Sequence, residues 1–136
     1  MLNRIPKILS PDIVKSLMEM GHGDTLLLAD ANYPAQTYGK RVVRADGLNI
    51  TELLVAIMEV MPIDDYIETP VQLMSPVEKD QEPNIWKEYK NLISEKEINY
   101  LERFDFYKTS ENCHTIIQTG EIAIYGNIML TKGVVK

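Results

Sequence analysis

The sequence predicts an α/β fold, a three-layer α/β/α sandwich around a mixed, mainly parallel sheet. Three observations lead there. The run Thr25-Leu26-Leu27-Leu28-Ala29 is apolar with no polar alternation, as in strands covered on both faces. Strand signals alternate with helix signals along most of the chain. The last part is β-rich, with "CHTIIQTG" followed by "EIAIYGNIMLTKG". A strand pair joined around Thr119-Gly120-Glu121 is expected there to run antiparallel.

The elements follow in order. In "SPDIVKSLMEMG", Ser10 can cap a helix, Pro11 suits the first helical position and Asp12 favours the positive helix end. Ile13, Leu17 and Met20, with Val14 and Met18, make one apolar stripe. Gly21 stands where a left-handed C-terminal cap would be. The strand Thr25 to Ala29 comes next, then a second candidate strand, "RVVRA", at Arg41 to Ala45. "NITELLVAIMEVMP" reads as a helix, with Asn49 and Glu52 at capping-box spacing and Pro62 as the stop. "PVQLM", Pro70 to Met74, reads as a third strand and "SPVEKDQEP" as a charged loop. "NIWKEYKNLISEKEINYLERFDFYKTSEN" reads as broken helix, with Ser94 and Glu97 able to restart it after Ile93.

Composition narrows the function classes. A chain of 136 residues is long enough for one domain with a real core, and residues 1–136 are read as one. The net charge of −6 and the absence of a basic stripe argue against a nucleic-acid partner. The single cysteine, Cys113, cannot form an intrachain disulfide, which fits a reducing compartment. The N-terminal stretch lacks the apolar core of a signal peptide, and no run approaches the roughly 18 apolar residues of a membrane span. A cytoplasmic protein is the expectation.

Chemistry-bearing residues cluster around the first strand. Asp30 ends it, and in open α/β sheets ligands bind outside the carboxyl ends of strands. Asp30 is either a carboxylate that caps a turn at Asn32 or Pro34, or a pocket carboxylate that orients a histidine or binds hydroxyls. His22 lies between Gly21 and Gly23 before the strand. It is either a turn histidine or a group that transfers protons near neutral pH. His114 has no motif around it and reads as structural. In "IAIYGNIML", period two puts Tyr125, Asn127 and Met129 on one strand face, and Gly126 suggests a close approach to the backbone. Tyr125 and Asn127 could line a polar pocket, or Tyr125 could simply pack in the core. Arg103 could bind hydroxyls or carboxylates, or pair with Glu102 or Asp105 at the surface. Trp86 and Tyr89 could stack on a sugar, but their helical spacing favours core packing.

No Walker loop, dinucleotide fingerprint or nucleophile–base motif is present, and "GHGD" precedes its strand rather than following it. Two scattered histidines and one cysteine lack zinc spacing. What remains is a set of acid–base and hydroxyl-binding groups, which suits simple proton chemistry or binding of a polar small molecule.

"MGHGD", "LADANYP" and "YGNIML.KGV", with "RADG" and "PVQLM" in order between them, resemble the family of ribose pyranases and fucose mutarotases over almost the full length. "LERFDFY" resembles the hallmark "IERF.FY" of the fucose branch, with Leu101 at its first position. The ribose branch has a histidine where this chain has Arg103. The resemblance implies interconversion of sugar anomers, or of pyranose and furanose forms, without a cofactor and without a metal. It implies a three-layer α/β/α fold and a ring-shaped homo-oligomer, commonly a decamer, with the active site at a subunit interface. It makes His22 the catalytic histidine, Asp30 its partner carboxylate, and Tyr125 and Asn127 a sugar-contacting pair. Arg103 becomes a pocket arginine of the fucose branch.

Mutarotation needs one group to remove the anomeric proton and another to protonate the ring oxygen. On this reading His22 moves one proton with Asp30 setting its tautomer, Tyr125 supplies the second transfer or holds hydroxyls, and Asn127 fixes the sugar. Geometry complicates the pairing, because a five-residue strand spans roughly 16 Å between His22 and Asp30. Either the His22 turn doubles back over the sheet edge, or the site crosses a subunit boundary. Rival readings are a non-catalytic sugar-binding module, a structural oligomer component, and a metal-dependent sugar isomerase.

Overall fold

The computed structural model describes residues 1–136. Its elements are α1 (Pro11–Glu19), β1 (Thr25–Ala29), α2 (Ala35–Tyr38), β2 (Val42–Ala45), α3 (Ile50–Val60), β3 (Val71–Met74), α4 (Ile85–Leu92), β4 (Ile98–Leu101), α5 (Arg103–Ser110), β5 (Thr115–Thr119) and β6 (Ile128–Thr131). The strands form one six-stranded sheet in the order β2-β5-β1-β6-β3-β4. β2, β5 and β1 pair in parallel, as do β3 and β4. β6 is antiparallel to both its neighbours, β1 and β3, and is the one reversed strand. The mixed, mainly parallel sheet is as expected.

β1 is central because its side chains suit cover on both faces. Leu26 and Leu28 pack on one side with Ile13 and Leu17 of α1, Leu53, Leu54 and Ile57 of α3, and Trp86 and Tyr89 of α4. Leu27 and Ala29 pack on the other with Tyr33, Ala35 of α2, Phe106 of α5, Ile116 and Met129. All three leucines of β1 are fully buried. Each contributes roughly 1.5 to 3 kcal/mol of hydrophobic stabilisation. Alternation of successive residues between the two faces thus produces the three layers.

Local signals behave as their chemistry dictates. The Ser10 hydroxyl accepts from the Ile13 amide at 3.3 Å, and the Glu52 carboxylate reaches back to the Asn49 amide at 3.1 Å. Four expectations are corrected. Gly21 is not a left-handed cap: α1 ends on an extended Met20, and the Gly21 amide donates to the Asp24 carboxylate at 2.7 Å. Gly23 is the glycine with positive φ, 86°. The stretch after Ile93 does not restart an α-helix, because Glu95–Glu97 is a single 3₁₀ turn that feeds the edge strand β4. β5 and β6 run in opposite directions but do not pair, since β1 lies between them.

The fourth correction concerns the segment between those two strands. The strand does not begin near Glu121, as "EIAIYGNIML" suggested, but at Ile128. The chain first crosses the end of β1 as an irregular loop. There the Ala31 amide donates to the Glu121 carbonyl at 2.8 Å and the Gly120 amide to the Leu48 carbonyl at 2.9 Å. No helix is long and apolar enough to cross a membrane.

Candidate active site

Parallel strands end on the same side, so the carboxyl ends of β1, β3 and β4 share one edge of the sheet. The reversed β6 brings its amino end to that edge. This is why Asp30, just after β1, meets Asn127, just before β6. The Asn127 amide nitrogen donates to Asp30 Oδ2 at 2.9 Å, and Asn127 Oδ1 accepts from the Asp30 backbone amide at 2.7 Å. Asp30 Oδ1 accepts from the Asn32 amide at 3.0 Å. The carboxylate therefore caps the turn, as one of the two sequence readings had it, and also lines a pocket. It is 5% exposed. Burial pushes its pKa above the ordinary carboxylate value, against hydrogen bonds from the Asn32 amide and the Asn127 side chain that pull it down.

A cavity of about 290 Å³ opens here, and Asp30, Asp80, Arg103, Tyr107, Tyr125 and Asn127 line it together with Asn32, Tyr33, Met74 and Ile124. Four of the five sequence candidates, Asp30, Arg103, Tyr125 and Asn127, thus converge on one pocket. Its size lies at the small end of ligand pockets, which run from roughly 300 Å³ upward.

Tyr125 is placed by a loop, not by a strand, so the period-two argument for its side chain does not apply. Its φ is 61°, in the left-handed region that non-glycine residues rarely adopt. Such a conformation costs on the order of 1 to 3 kcal/mol and persists where surroundings impose it. Trp86 Nε1 donates to the Tyr125 carbonyl at 2.9 Å, and the Tyr89 hydroxyl donates to the Gly126 carbonyl. The two α4 aromatics are buried supports of this loop, so the sugar-stacking reading of them is set aside. Gly126 is small because the Ala123 carbonyl, not a ligand, approaches it: an added Cβ would lie 2.8 Å from that oxygen.

The Tyr125 hydroxyl donates to Asp80 Oδ2 at 2.6 Å. That bond raises the tyrosine pKa, because deprotonation would set two anions side by side. Arg103 opens α5 and lines the pocket without the surface ion pair considered for it. The Glu102 carboxylate is occupied in capping α5, accepting from the Phe104 amide at 2.9 Å and the Asp105 amide at 3.2 Å. The Arg103 guanidinium lies over the Phe104 ring at 4.6 Å, and its buried Nε has no protein partner. Donors without partners beside a carboxylate, an amide and a phenol suit a ligand rich in hydroxyls.

His22 is elsewhere. It precedes β1 and lies at the opposite edge of the sheet, where the Gly23 amide donates to the Lys132 carbonyl at 2.9 Å, just beyond β6. The turn does not double back. Within one chain, Asp30 is not the partner carboxylate of His22. That position is held by Asp64, whose Oδ1 is 2.8 Å from His22 Nε2. The Tyr66 ring stands 5.2 Å from the imidazole. His114 is bonded to Thr115 Oγ1 at 2.9 Å and is remote from the pocket lining, in keeping with a structural part.

Asp80, Tyr107 and Asp64 were missed by sequence reasoning. Tyr107 could have been found, since it stands four residues after Arg103 on one helix and so shares its face. Asp80 sits among Glu78, Lys79 and Glu82 in a charged loop with no period to single it out. Asp64 is 42 residues from His22, and no local pattern joins them.

The chain has relatives among known proteins. Residues 3–135 match the model of the RbsD / FucU transport protein family. The fucose mutarotase of Mus musculus is 43% identical, over 97% of this chain and 94% of its own. The crystal structure of the fucose mutarotase from Streptococcus pneumoniae, in complex with L-fucose, superposes with a TM-score of 0.96 at 46% identity, covering 99% of this chain and 100% of that one. Bacillus subtilis RbsD complexed with D-ribose gives a TM-score of 0.75 at 27% identity over 94% and 95% of the two chains. From the pocket, the fold and these likenesses together, the chain belongs to the RbsD / FucU family.

Proposed function

We propose that this chain is a sugar mutarotase, an isomerase that interconverts the anomers of L-fucose by acid–base ring opening and closing, and that residues 1–136 form its single catalytic domain. The observation that carries the reading is the polar pocket at the carboxyl edge. It places Asp30, Asn127, Tyr125 and Arg103 around a space of monosaccharide scale, in a chain whose backbone follows that of a mutarotase complexed with L-fucose. Ribose is the second substrate to test, because a D-ribose complex of the same family also superposes, though less closely.

In this reading Asn127 and Arg103 hold sugar hydroxyls, and Asp30 accepts a hydroxyl proton in a hydrogen bond. Tyr125 serves the ring oxygen. His22 moves the anomeric proton, but from a neighbouring subunit, since its own pocket lies at the far edge of its own sheet. A head-to-tail interface sets one edge of a protomer against the opposite edge of the next and closes into a ring. Both edges carry exposed apolar groups suited to such contact, Ile122, Ile124 and Phe104 on one side and Tyr66 and Ile67 on the other. The homo-oligomer of the proposal is a decamer working in the cytoplasm.

Saturation-transfer NMR of anomer exchange tests the function, with L-fucose and D-ribose in parallel. Fast exchange on L-fucose that is lost in His22→Ala is the expected result. Exchange on ribose alone moves the chain to the pyranase branch. Saturable sugar binding without exchange on either sugar leaves a binding protein.

A further inference from the structure

The chain between β3 and α4, residues 75–84, passes beside the pocket as a strap. Its ends are tied through the backbone, with the Ser75 amide donating to the Leu101 carbonyl at 2.8 Å and the Trp86 amide to the Pro83 carbonyl at 3.2 Å. Between those ends it adds nothing to the core. Glu78, Lys79, Gln81 and Glu82 are exposed, and Pro76, Val77 and Pro83 belong to neither core cluster. Asp80 is the one strap residue that lines the cavity. A single side chain of the body grips the middle of the strap. The Tyr125 hydroxyl donates to Asp80 Oδ2 at 2.6 Å and accepts from the Val77 amide at 3.4 Å. A turn joins the two gripped residues, since the Asp80 amide donates to the Val77 carbonyl at 2.9 Å.

A phenol has one proton to donate, and here it is spent on Asp80. The same bond holds the tyrosine pKa up, so beside Asp80 this hydroxyl is a poor acid. The mutarotase reading nevertheless turns the Tyr125 hydroxyl to the sugar ring oxygen. The carboxylate oxygen and the ring oxygen therefore need one and the same proton. We propose that Asp80 is a built-in competitor of the sugar, with Oδ2 standing where the ring oxygen of the substrate binds, so that sugar entry displaces Asp80 from Tyr125 and frees the strap. The proposal rests on the mutarotase reading above. A hydrogen bond to a carboxylate is roughly twice as strong as one between neutral groups, which keeps the strap latched. The sugar wins through contacts that Asp80 does not make, with Asp30, Asn127 and Arg103 around the same cavity. The buried Arg103 Nε, which has no protein partner, gains one only from a ligand. Apparent sugar affinity is then the intrinsic affinity reduced by the fraction of chains with the strap unlatched.

Amide hydrogen exchange of the strap, read by mass spectrometry on the whole protein, tests the displacement. Saturating L-fucose is expected to speed exchange across residues 75–83 about 10-fold, the opposite of the protection a ligand gives to a segment it covers. In Tyr125→Phe the strap should exchange fast with or without sugar. Slower or unchanged exchange in the wild type on adding L-fucose overturns the proposal. Affinity gives a second reading. Asp80→Ala removes the competitor, so the L-fucose Kd from calorimetry falls about 10-fold, and the gain in kcat/KM for anomer exchange lies in KM. Asp80→Asn keeps an accepting oxygen without the charge, and its Kd falls by a smaller factor. A Kd that rises in Asp80→Ala makes the carboxylate a sugar ligand instead, and an unchanged Kd means that it competes with nothing. Either result overturns the proposal and, in a wild type that exchanges anomers, leaves the mutarotase reading standing. A wild type that neither binds nor exchanges L-fucose overturns both, because no ring oxygen then contends for the Tyr125 proton.

Discussion

The two edges of the sheet carry two different kinds of site. The carboxyl edge is concave and built from many elements, with Asp30 after β1, Met74 from β3, Arg103 and Tyr107 from α5, and Asn127 before β6. The amino edge presents a single half-exposed imidazole against one buried carboxylate. The first can hold a molecule but has its strongest acceptor, Asp30, committed to Asn32 and Asn127. The second has the imidazole to which the proposal gives the proton transfer, and it lies outside that pocket. The comparison teaches that, on the proposed reading, each edge supplies what the other lacks. On that reading, a head-to-tail contact between chains would join them.

Substitutions should fall on the two sides of that division. The largest effect is expected from His22→Ala, which lowers anomer exchange by about 10² to 10⁴-fold. Sugar affinity, by calorimetry, stays near wild type, while Tm falls because the buried Asp64 Oδ1 loses its partner. Asp30→Ala acts on both binding and fold. It strands the buried Asn127 amide, and an unsatisfied buried group costs about 1 to 3 kcal/mol. Chemical denaturation should show that loss, and sugar binding should vanish.

Tyr125→Phe removes one hydroxyl and its bond to Asp80. Exchange should fall about 10²-fold with stability little changed. The smallest effect is expected from Trp86→Phe, which deletes the bond to the Tyr125 carbonyl and costs about 1 kcal/mol in urea unfolding, with a few-fold loss of exchange.

A pH test sharpens the same contrast. Asp30 has its pKa raised by burial, so the folded protein binds this proton more tightly than the unfolded chain. Its contribution is favourable below the ordinary carboxylate value and is lost as pH rises through that value to the raised folded one. Stability from urea melts across this acidic window should therefore fall less steeply with rising pH in Asp30→Asn than in the wild type.

Much of this architecture was legible because it is written in local patterns. The three leucines of β1 declare a strand covered on both faces, Ser10-Pro11 declares a helix start, and Asn49 with Glu52 declares another. Asp30, Arg103, Tyr125 and Asn127 were picked out by strand-end chemistry and by motif. The failures are all of long-range placement. β4 was hidden because Ile98–Leu101 is a four-residue edge strand beside helical signals, where only pairing with β3 makes the strand. Tyr125 and Asn127 do line the pocket, but strand periodicity is not what puts them there. A left-handed residue held by Trp86 and Tyr89, not strand periodicity, aims this loop. The His22–Asp64 contact depends on β6 running backwards beside β1, a fact of sheet order that no short window contains.

The account turns on the claim that one pocket draws His22 from another chain. Mixing two inactive proteins, His22→Ala and Asp30→Asn, under conditions that exchange subunits tests it directly. If the site is shared, roughly a quarter of the interfaces in a random equal mixture pair an intact pocket with an intact histidine. L-Fucose exchange should then return to about that fraction of the wild-type rate. A mixture that remains as inactive as its two components would contradict the shared site and require both groups to act within a single chain.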